Sequence, residues 1–234
     1  MKKNILITGG AGFIGSHLAT HLLREGEWDV TIFDDLNDFY SPDIKRANLD
    51  AVRSVGEFRF VEGDIRRTED LRPVFDETSF ECIVHLAARA GVRPSLSQPK
   101  LYAETNIDGT LNLVYACWPS MQTGGGAIVL VSSMAAARGS RVVPVEYSAS
   151  KGAVESMVRH LSLTGGPVGI RVNAVAPGVI RTPMTDAFGP PAVDMIPMGR
   201  VGEVSEVASV VGFLLSDAAA YVTGAIVGVN GGMR

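Results

Sequence analysis

Hydrophobic positions along the chain alternate between short continuous runs and stretches in which apolar residues recur every three or four positions. The short runs predict buried β-strands, and the longer periodic stretches predict amphipathic helices. The predicted strands are 4–7, 30–33, 58–61, 82–86, 127–131, 170–175 and 225–229. The predicted helices are about 13–25, 42–52, a short one from 68, 100–117, 147–163 and 205–215.

Regular alternation of strands and helices is typical of βαβ units built around a parallel sheet. The run 127–131 is apolar at every position, as expected of a central strand that helices cover on both faces. We therefore expect an α/β protein with a doubly wound parallel sheet of about seven strands, the Rossmann fold. With 234 residues the chain is short enough for a single domain over 1–234.

The composition and charge of the chain exclude some classes of function. Hydrophobic residues make up 46% and charged residues 20% of the chain, which is typical of a globular protein. The net charge is -4 and no long run of Lys or Arg occurs, so neither nucleic acid nor a membrane is expected as a partner. No segment approaches the roughly 20 apolar residues of a membrane helix. Cys82 and Cys117 lie in apolar contexts and predict reduced, buried thiols in a cytoplasmic protein.

A glycine-rich segment, Thr-Gly-Gly-Ala-Gly-Phe-Ile-Gly at 8–15, connects the first predicted strand to the first predicted helix. In this position a tight turn lets the backbone approach a pyrophosphate, at which the helix N-terminus then points. The segment therefore predicts a dinucleotide site. Its expected cofactor contacts are Gly9, Gly12, Phe13, Ile14 and Gly15.

The second predicted strand leads into Asp34 about 20 residues beyond the glycine segment. A carboxylate here accepts the two adenosine ribose hydroxyls and repels a 2′-phosphate, which favours NAD over NADP. An ordinary strand and helix with an exposed acid is the alternative. Further cofactor contacts are expected where the third and fourth strands end, at Asp64, Ile65, Ala87 and Ala88.

Tyr147 and Lys151 lie four residues apart at the start of a predicted helix, so their side chains share one face. A Lys ammonium and an oxidised nicotinamide would lower the pKa of the phenol and make Tyr147 an acid/base near neutral pH. Ser133, or less favourably Ser132, follows the central strand and would hydrogen-bond a substrate oxygen. Asn106 would hold a water that links Lys151 to solvent. An isolated Tyr and Lys at this spacing would be surface residues.

These residues and their order resemble those of the short-chain dehydrogenase/reductase family over essentially the whole chain. The resemblance implies an active tetrad of Asn106, Ser133, Tyr147 and Lys151. It also implies a nicotinamide loop at Pro177, Gly178, Val179 and Thr182, in which Val179 and Thr182 hold the carboxamide. Relatives in the compact branch pair through the two long helices and the last strand, which implies a homodimer or homotetramer.

The two parts of the chain resemble different branches of that family. Residues 1 to about 113 resemble the extended branch, in particular nucleotide-sugar epimerases, in the glycine spacing and in the segments 85–93 and 105–110. From about 118 onward the chain resembles the compact ketoreductases and hydroxysteroid dehydrogenases. We expect a hybrid with its junction near 113–126 and no C-terminal sugar-binding domain. Its substrate pocket would come mainly from 135–146 and 182–203.

Other polar residues could have either a functional or a purely structural role. His17 and His21 are four apart but lack a third ligand, so we expect no metal site. His85 ends a predicted central strand and is expected to be a packed residue. Arg89 and Arg93 would contact a phosphate of the cofactor or of a nucleotide sugar, or only solvent.

Three functions follow from these observations. The first is hydride transfer between nicotinamide and a small-molecule carbonyl or secondary alcohol, with Tyr147 as acid/base. The second is epimerisation of a nucleotide sugar without net consumption of NAD. The third is dinucleotide binding without turnover, because halves of different ancestry need not form a productive pocket.

Overall fold

The protein is described from a computed structural model over residues 2–89, 96–139, 143–186 and 193–233. Within these ranges seven strands form one sheet in the order β3-β2-β1-β4-β5-β6-β7, with every pair of neighbours parallel. The strands are β1 (Lys3–Thr8), β2 (Trp28–Asp34), β3 (Arg59–Glu62), β4 (Cys82–His85), β5 (Gly126–Val131), β6 (Ile170–Pro177) and β7 (Ile226–Val229). The predicted doubly wound sheet is confirmed.

Helices connect the strands at nearly the predicted positions. Those of the first half are Phe13–Glu25, Pro42–Arg53 and Thr68–Glu77, followed by Pro99–Ala103 and Gly109–Gly124. Those of the second half are Met134–Arg138, Val145–Gly165, Pro183–Asp186 and Val204–Leu215. No helix in the described part of the chain is both long and apolar enough to cross a bilayer.

Two hydrophobic clusters lie on the two faces of the sheet. Successive strand residues point to opposite faces, so Ile5 and Ile7 of β1 join one cluster while Leu6 joins the other. The first cluster packs against the helices Phe13–Glu25 and Val204–Leu215, and the second against Gly109–Gly124 and Val145–Gly165. Both predicted thiols are buried and free, and burial raises the pKa of Cys82 to about 11 and that of Cys117 to about 12.

One long helix departs from its prediction. A π-helical turn over Glu104–Asp108 separates Pro99–Ala103 from Gly109–Gly124, where the periodicity predicted an uninterrupted α-helix over 100–117. Such turns insert a residue into the α-helical spacing and often occur at functional sites. Here the turn buries Thr105 and Asn106 beside the end of β4.

The change of direction in the strand order defines where the site lies. From β1 the chain builds outward to β3 and then returns to the other side of β1 as β4. A crevice opens outside the carboxyl ends of the strands at this point, which is where ligands bind in open α/β sheets. Thr8 of β1 is paired there with Phe33 on one side and with His85 on the other.

Candidate active site

The glycine turn after β1 permits backbone contacts that no side chain would allow. Gly9 has a φ of +71°, and a Cβ on it would lie 2.5 Å from the amide nitrogen of Ala87. A Cβ on Gly15 would lie 2.5 Å from the carbonyl oxygen of Gly9. The turn therefore packs directly against both the β4 loop and its own helix.

The N-terminus of the helix Phe13–Glu25 lies at the crevice. Gly12 is its N-cap, no side chain accepts a hydrogen bond from its first turn, and that turn contains no acidic residue. The first N–H groups of a helix have no partner within the helix, and together with the helix dipole they favour an anion. This geometry fits a phosphate-binding site at the predicted position.

A single cleft brings together nearly all of the predicted site residues. From the first half it is lined by Gly9, Gly12, Phe13, Ile14, Gly15, Asp34, Asp64, Ile65, Ala87 and Ala88. From the second half it is lined by Ser133, Tyr147, Lys151, Pro177, Gly178 and Thr182. Two predicted residues are absent from this lining: Val179 borders a neighbouring cavity, and Asn106 is only 1% exposed.

Asp34 is almost fully engaged by the protein itself. Its Oδ1 accepts hydrogen bonds from the amide of Leu36 at 2.9 Å and from Nζ of Lys45 at 3.2 Å, and its Oδ2 accepts from the amide of Ala11 at 3.1 Å. A carboxylate offers about four acceptor positions. Three of these positions are used within the protein, and the binding of the two adenosine ribose hydroxyls by Asp34 stays a prediction.

Lys45 was not identified from the sequence as part of the site. Its side chain is 5% exposed, and Nζ lies 3.6 Å from Oδ1 of Asp35 and 5.4 Å from the centre of the Tyr40 ring. The sequence did contain a signal, because Lys45 lies at the same helical face as the buried Leu49 and Val52. A lysine on a buried helical stripe needs a charged partner.

Tyr40 extends the same wall of the cleft. Its ring stacks on that of Phe13 with the centroids 5.1 Å apart. Burial and the negative charges of Asp34 and Asp35 raise the pKa of its phenol, which therefore stays protonated. Aromatic rings with a protonated hydroxyl provide both an apolar face and a hydrogen-bond donor.

Tyr147 lies in the first turn of the helix Val145–Gly165 and forms a hydrogen bond with the side chain of Ser133. Ser133 caps the helix Met134–Arg138, where its Oγ accepts from the amide of Ala135 at 3.2 Å. Ser132 is turned away, with Oγ 3.0 Å from Oε1 of Glu155. Of the two serines, the structure thus places Ser133 beside the phenol.

In the protein without a cofactor, the surroundings of Tyr147 disfavour ionisation of its phenol. Burial raises the pKa of the phenol, and the hydrogen bond with Ser133 offsets this only in part. Nζ of Lys151 donates to the carbonyl of Val131 at 2.9 Å. The ammonium is thus held at the end of β5, and the lowering of the Tyr147 pKa by Lys151 and an oxidised nicotinamide stays a prediction.

Asn106 has a structural task. Its Oδ1 accepts from the amide of Arg89 at 2.7 Å, and its Nδ2 donates to the carbonyl of Arg89 and to Oγ of Ser150, both at 3.1 Å. Both amide hydrogens are therefore used. The side chain ties the β4 loop to the Tyr147 helix, and its predicted role in holding a water stays a prediction.

The loop after β6 positions Thr182 through Thr185, which the sequence analysis missed. The amide of Thr182 donates to Oγ1 of Thr185 at 2.8 Å, and the amide of Thr185 donates to Oγ1 of Thr182 at 3.2 Å. Both residues line the cleft. The role of Val179 in holding a carboxamide stays a prediction, as do those of the pocket residues 140–142 and 187–192, which lie outside the described ranges.

His85 is a packed residue, as predicted. Its Nδ1 lies 2.7 Å from Oγ1 of Thr8 and its Nε2 lies 2.9 Å from Oγ1 of Thr110. Because Thr110 donates its own hydrogen to the carbonyl of Asn106, Nε2 must be the protonated nitrogen. Burial and Lys151 lower the pKa of His85 to about 3, which keeps the ring neutral.

Arg89 lines the cleft, and its Nη1 donates to Oδ1 of Asn37 at 3.3 Å. Arg93 lies outside the described residues. His17 bonds the carbonyl of Phe13, and His21 pairs with Glu25. Within the described ranges no cluster of three potential metal ligands occurs.

Burial of the Lys151 ammonium lowers the stability of the folded protein, and this cost can be measured. Burial lowers the pKa of its ammonium from 10.5 to about 8, so below pH 8 the folded protein holds a charge that burial disfavours. Between these values the unfolded chain binds more protons, and stability therefore rises with pH. Lys151→Met should increase the free energy of unfolding at pH 7 by about 2 kcal/mol.

That gain should shrink as the pH rises from 8 toward 10.5, and urea denaturation at several pH values measures it. Lys2→Met provides the matched control, since Lys2 pairs only at the surface with Asp29 at 3.8 Å. A Lys151→Met protein less stable than the parent at pH 7 would show that the hydrogen bond to Val131 outweighs desolvation.

Comparisons with known proteins agree with this geometry. A family model described as enoyl-(acyl carrier protein) reductase matches residues 11–234. The 3-oxoacyl-(acyl-carrier-protein) reductase FabG of Staphylococcus epidermidis is 29% identical, with 100% of this chain and 99% of that protein covered. The crystal structure of a 3-oxoacyl-(acyl-carrier protein) reductase from Brucella melitensis with bound NAD has 31% identity and a TM-score of 0.84, covering 99% of this chain and 90% of that one.

A second kind of relative matches only part of the chain. UDP-glucuronate 4-epimerase 4 of Arabidopsis thaliana is 42% identical over 113 residues, which are 48% of this chain. The chain spans only a quarter of that relative's length, 25%. Higher identity over half the chain and lower identity over the whole agree with the hybrid character inferred from the two sets of motifs.

Proposed function

Because the chain belongs to the short-chain dehydrogenase/reductase family, a family of oxidoreductases, we propose that it transfers hydride between nicotinamide and a carbonyl or secondary alcohol, with NAD(H) as cofactor. The observation that carries this proposal is that Tyr147, Ser133 and Lys151 line the same cleft as the glycine turn. A reacting group and a dinucleotide would thus meet in one cavity.

The residues present fit a dinucleotide. The uncapped helix start at Gly12 would hold the diphosphate, and the Asp34 carboxylate would hold the adenosine ribose. Asp64 and Ile65 would flank the adenine, and Ala87 and Ala88 would lie beneath the cofactor. Thr182, fixed by Thr185, would face the carboxamide. NAD bound to the Brucella melitensis relative supports the same class of cofactor here.

The cofactor supplies the hydride that is added to, or removed from, the substrate carbon. In the reducing direction Tyr147 donates its phenolic proton to the carbonyl oxygen as the new C–H bond forms, and Ser133 donates a hydrogen bond that orients this oxygen. In the oxidising direction the Tyr147 phenolate takes the proton back. The Lys151 ammonium, which donates one of its three hydrogens to the Val131 carbonyl, would stabilise the phenolate through its positive charge.

The first experiment follows absorbance at 340 nm while NADH is mixed with the purified protein and a panel of ketones. Loss of the band with at least one ketone is expected, and the reverse reaction should appear with the matching secondary alcohol and NAD. A band that persists with every ketone while NADH is bound would favour a dinucleotide-binding protein without turnover.

A second function is favoured by the 42% identity to UDP-glucuronate 4-epimerases over half the chain. In that case NAD would remain bound, a nucleotide sugar would be oxidised and reduced in place, and no net change at 340 nm would occur. Chromatography of UDP-glucuronate after incubation with the protein separates this outcome from the first, because only an epimerase would produce UDP-galacturonate.

A further inference from the structure

Glu155 is a buried carboxylate that the proposed hydride transfer does not use. Its side chain is 10% exposed, and it lies one turn beyond Lys151 in the helix Val145–Gly165. Its Oε1 accepts a hydrogen bond from Oγ of Ser132 at 3.0 Å, and its Oε2 accepts one from Nη2 of Arg159 at 3.1 Å. Burying a carboxylate is unfavourable unless it is paired and hydrogen-bonded, and here both of its oxygens are engaged.

The segment 131–133 at the end of β5 contacts the helix Val145–Gly165 through each of its three residues. Its first residue accepts a hydrogen bond from Lys151 at 2.9 Å, its middle residue donates to Glu155 at 3.0 Å, and its last residue is hydrogen-bonded to Tyr147. The first and last of these contacts involve groups of the proposed reaction. The contact with Glu155 lies between them and anchors the middle of the segment.

We propose that Glu155 is a positioning residue, which keeps Ser133 in contact with Tyr147 by anchoring the neighbouring Ser132. The proposal rests on the hydride transfer described above, in which Ser133 and Tyr147 contact the substrate oxygen. Glu155 follows Tyr147 by eight positions, about 12 Å along the helix axis, so its effect on the phenol passes through the segment 131–133.

Ser132 transmits the anchor because it has little freedom of its own. It is 2% exposed, and its amide donates to the carbonyl of Val175 in β6 at 2.8 Å. Its one hydroxyl hydrogen lies between Oε1 of Glu155 at 3.0 Å and the carbonyl of Lys151 at 3.3 Å. The charged acceptor at the shorter distance binds this hydrogen more strongly. Because the peptide bond between the two serines is planar, fixing Ser132 restricts the movement of Ser133.

The position of Ser133 affects the ionisation of Tyr147. The hydrogen bond between them lowers the pKa of the phenol, against the effect of burial. A displaced Ser133 therefore raises the pKa of Tyr147. Loss of the negative charge of Glu155 would act in the opposite direction, because a nearby anion disfavours a phenolate. Tyr102 interacts with Tyr147 from the helix Pro99–Ala103, and it is present in all of the variants.

The test measures the steady-state kinetics of alcohol oxidation by NAD over a range of pH. Glu155→Leu removes the acceptor of the Ser132 hydroxyl, and kcat should fall about 10–100-fold, the effect of a slightly misplaced reacting group. The rising limb of its pH profile, which reports the Tyr147 phenolate, should move to higher pH. The KM values for NAD and alcohol should stay within about threefold of the parent, because the loss is in the reacting geometry rather than in binding.

Glu155→Gln is the conservative variant, because its amide keeps an oxygen that accepts from Ser132 while the charge is lost. Its kcat should stay within about threefold of the parent, and its pH profile should not move upward. Ser132→Ala breaks the same hydrogen bond from the other side and should reproduce the effects of Glu155→Leu. It keeps the proposal testable if Glu155→Leu does not fold, and the double variant should lose no more kcat than either single one.

Val158→Ala is the matched structural control. Val158 is fully buried in the same helix, so the substitution leaves a cavity and lowers stability without touching Ser132 or Glu155. Urea denaturation measures the stability of each variant, and Val158→Ala should keep the kcat and the pH profile of the parent.

The role of Glu155 would be overturned by an unchanged kcat and pH profile in Glu155→Leu, by an equal loss in Glu155→Gln, or by an equal loss in Val158→Ala. If the parent oxidises no alcohol and reduces no ketone, the proposed function fails by itself. Crystal structures of the parent and Glu155→Leu then decide the inference on geometry. Oγ of Ser133 should lie farther from Oη of Tyr147 in the variant, and an unchanged distance would contradict the proposal.

Discussion

Tyr147→Phe is expected to reduce turnover by about two to four orders of magnitude, the usual contribution of a positioned acid or base. The substitution removes only the phenolic oxygen, which forms a hydrogen bond with Ser133. NADH affinity should stay within a few-fold of the parent, because the glycine turn and Asp34 are untouched. Steady-state kinetics with the best ketone of the panel, together with NADH fluorescence titration, measure both quantities.

Tyr221→Phe is the matched control, since Tyr221 is fully exposed and far in sequence from the cleft residues. It should leave turnover and cofactor affinity unchanged. Turnover that survives in Tyr147→Phe would remove the acid/base assignment, and a parallel loss of NADH binding would show that the variant disturbs the cleft as a whole.

Gly9→Ala should cause the largest loss of stability and cofactor binding of any single methyl addition proposed for this protein. The new Cβ would lie 2.5 Å from the Ala87 amide nitrogen, a backbone atom that cannot turn aside, and φ at this residue is +71°. Strain at positive φ costs about 1–2 kcal/mol and overpacking about 1–3 kcal/mol. We expect a loss of about 2–5 kcal/mol in urea denaturation and no measurable NADH binding.

Gly26→Ala separates the two causes. Gly26 has a φ of +74° but nothing lies within 4 Å of a Cβ placed on it. Its substitution should cost only the strain, about 1 kcal/mol, and should leave NADH binding intact. Equal losses in Gly9→Ala and Gly26→Ala would mean that the β4 loop moves away freely from the turn, contrary to the close packing at Ala87.

The order of strands and helices could be predicted from the sequence because each central strand is a continuous apolar run and each connection returns to the same sheet. The seven-strand order and the helix Phe13–Glu25 agree with that prediction. The π-helical turn at Glu104–Asp108 could not be predicted, because apolar periodicity locates the buried face but does not report one extra residue within a turn.

The site was predictable where a residue follows a strand or begins a helix, as Gly12, Ser133 and Tyr147 do. The role of a site residue could not be predicted where it depends on which side chains lie next to it in the folded protein. Lys45 and Thr185 act through partners three to eleven positions away, and Asn106 acts through a loop and a helix that are distant in sequence. Those contacts depend on the tertiary packing of helices, which residue spacing alone does not determine.

β4 belongs to the epimerase-like part of the chain and β5 to the reductase-like part, and the two strands are neighbours in the sheet. Their pairing determines how such parts can be exchanged between proteins. The two strands pair in parallel from Cys82 with Ala127 to His85 with Leu130, and main-chain hydrogen bonds of this kind need no particular side chains. A second half from another protein could therefore dock in register on the first half as long as its strand is apolar. Within the described residues, one side-chain match that it would supply is a hydroxyl at position 150 for Asn106, so compatibility between grafted halves also involves individual polar contacts between them.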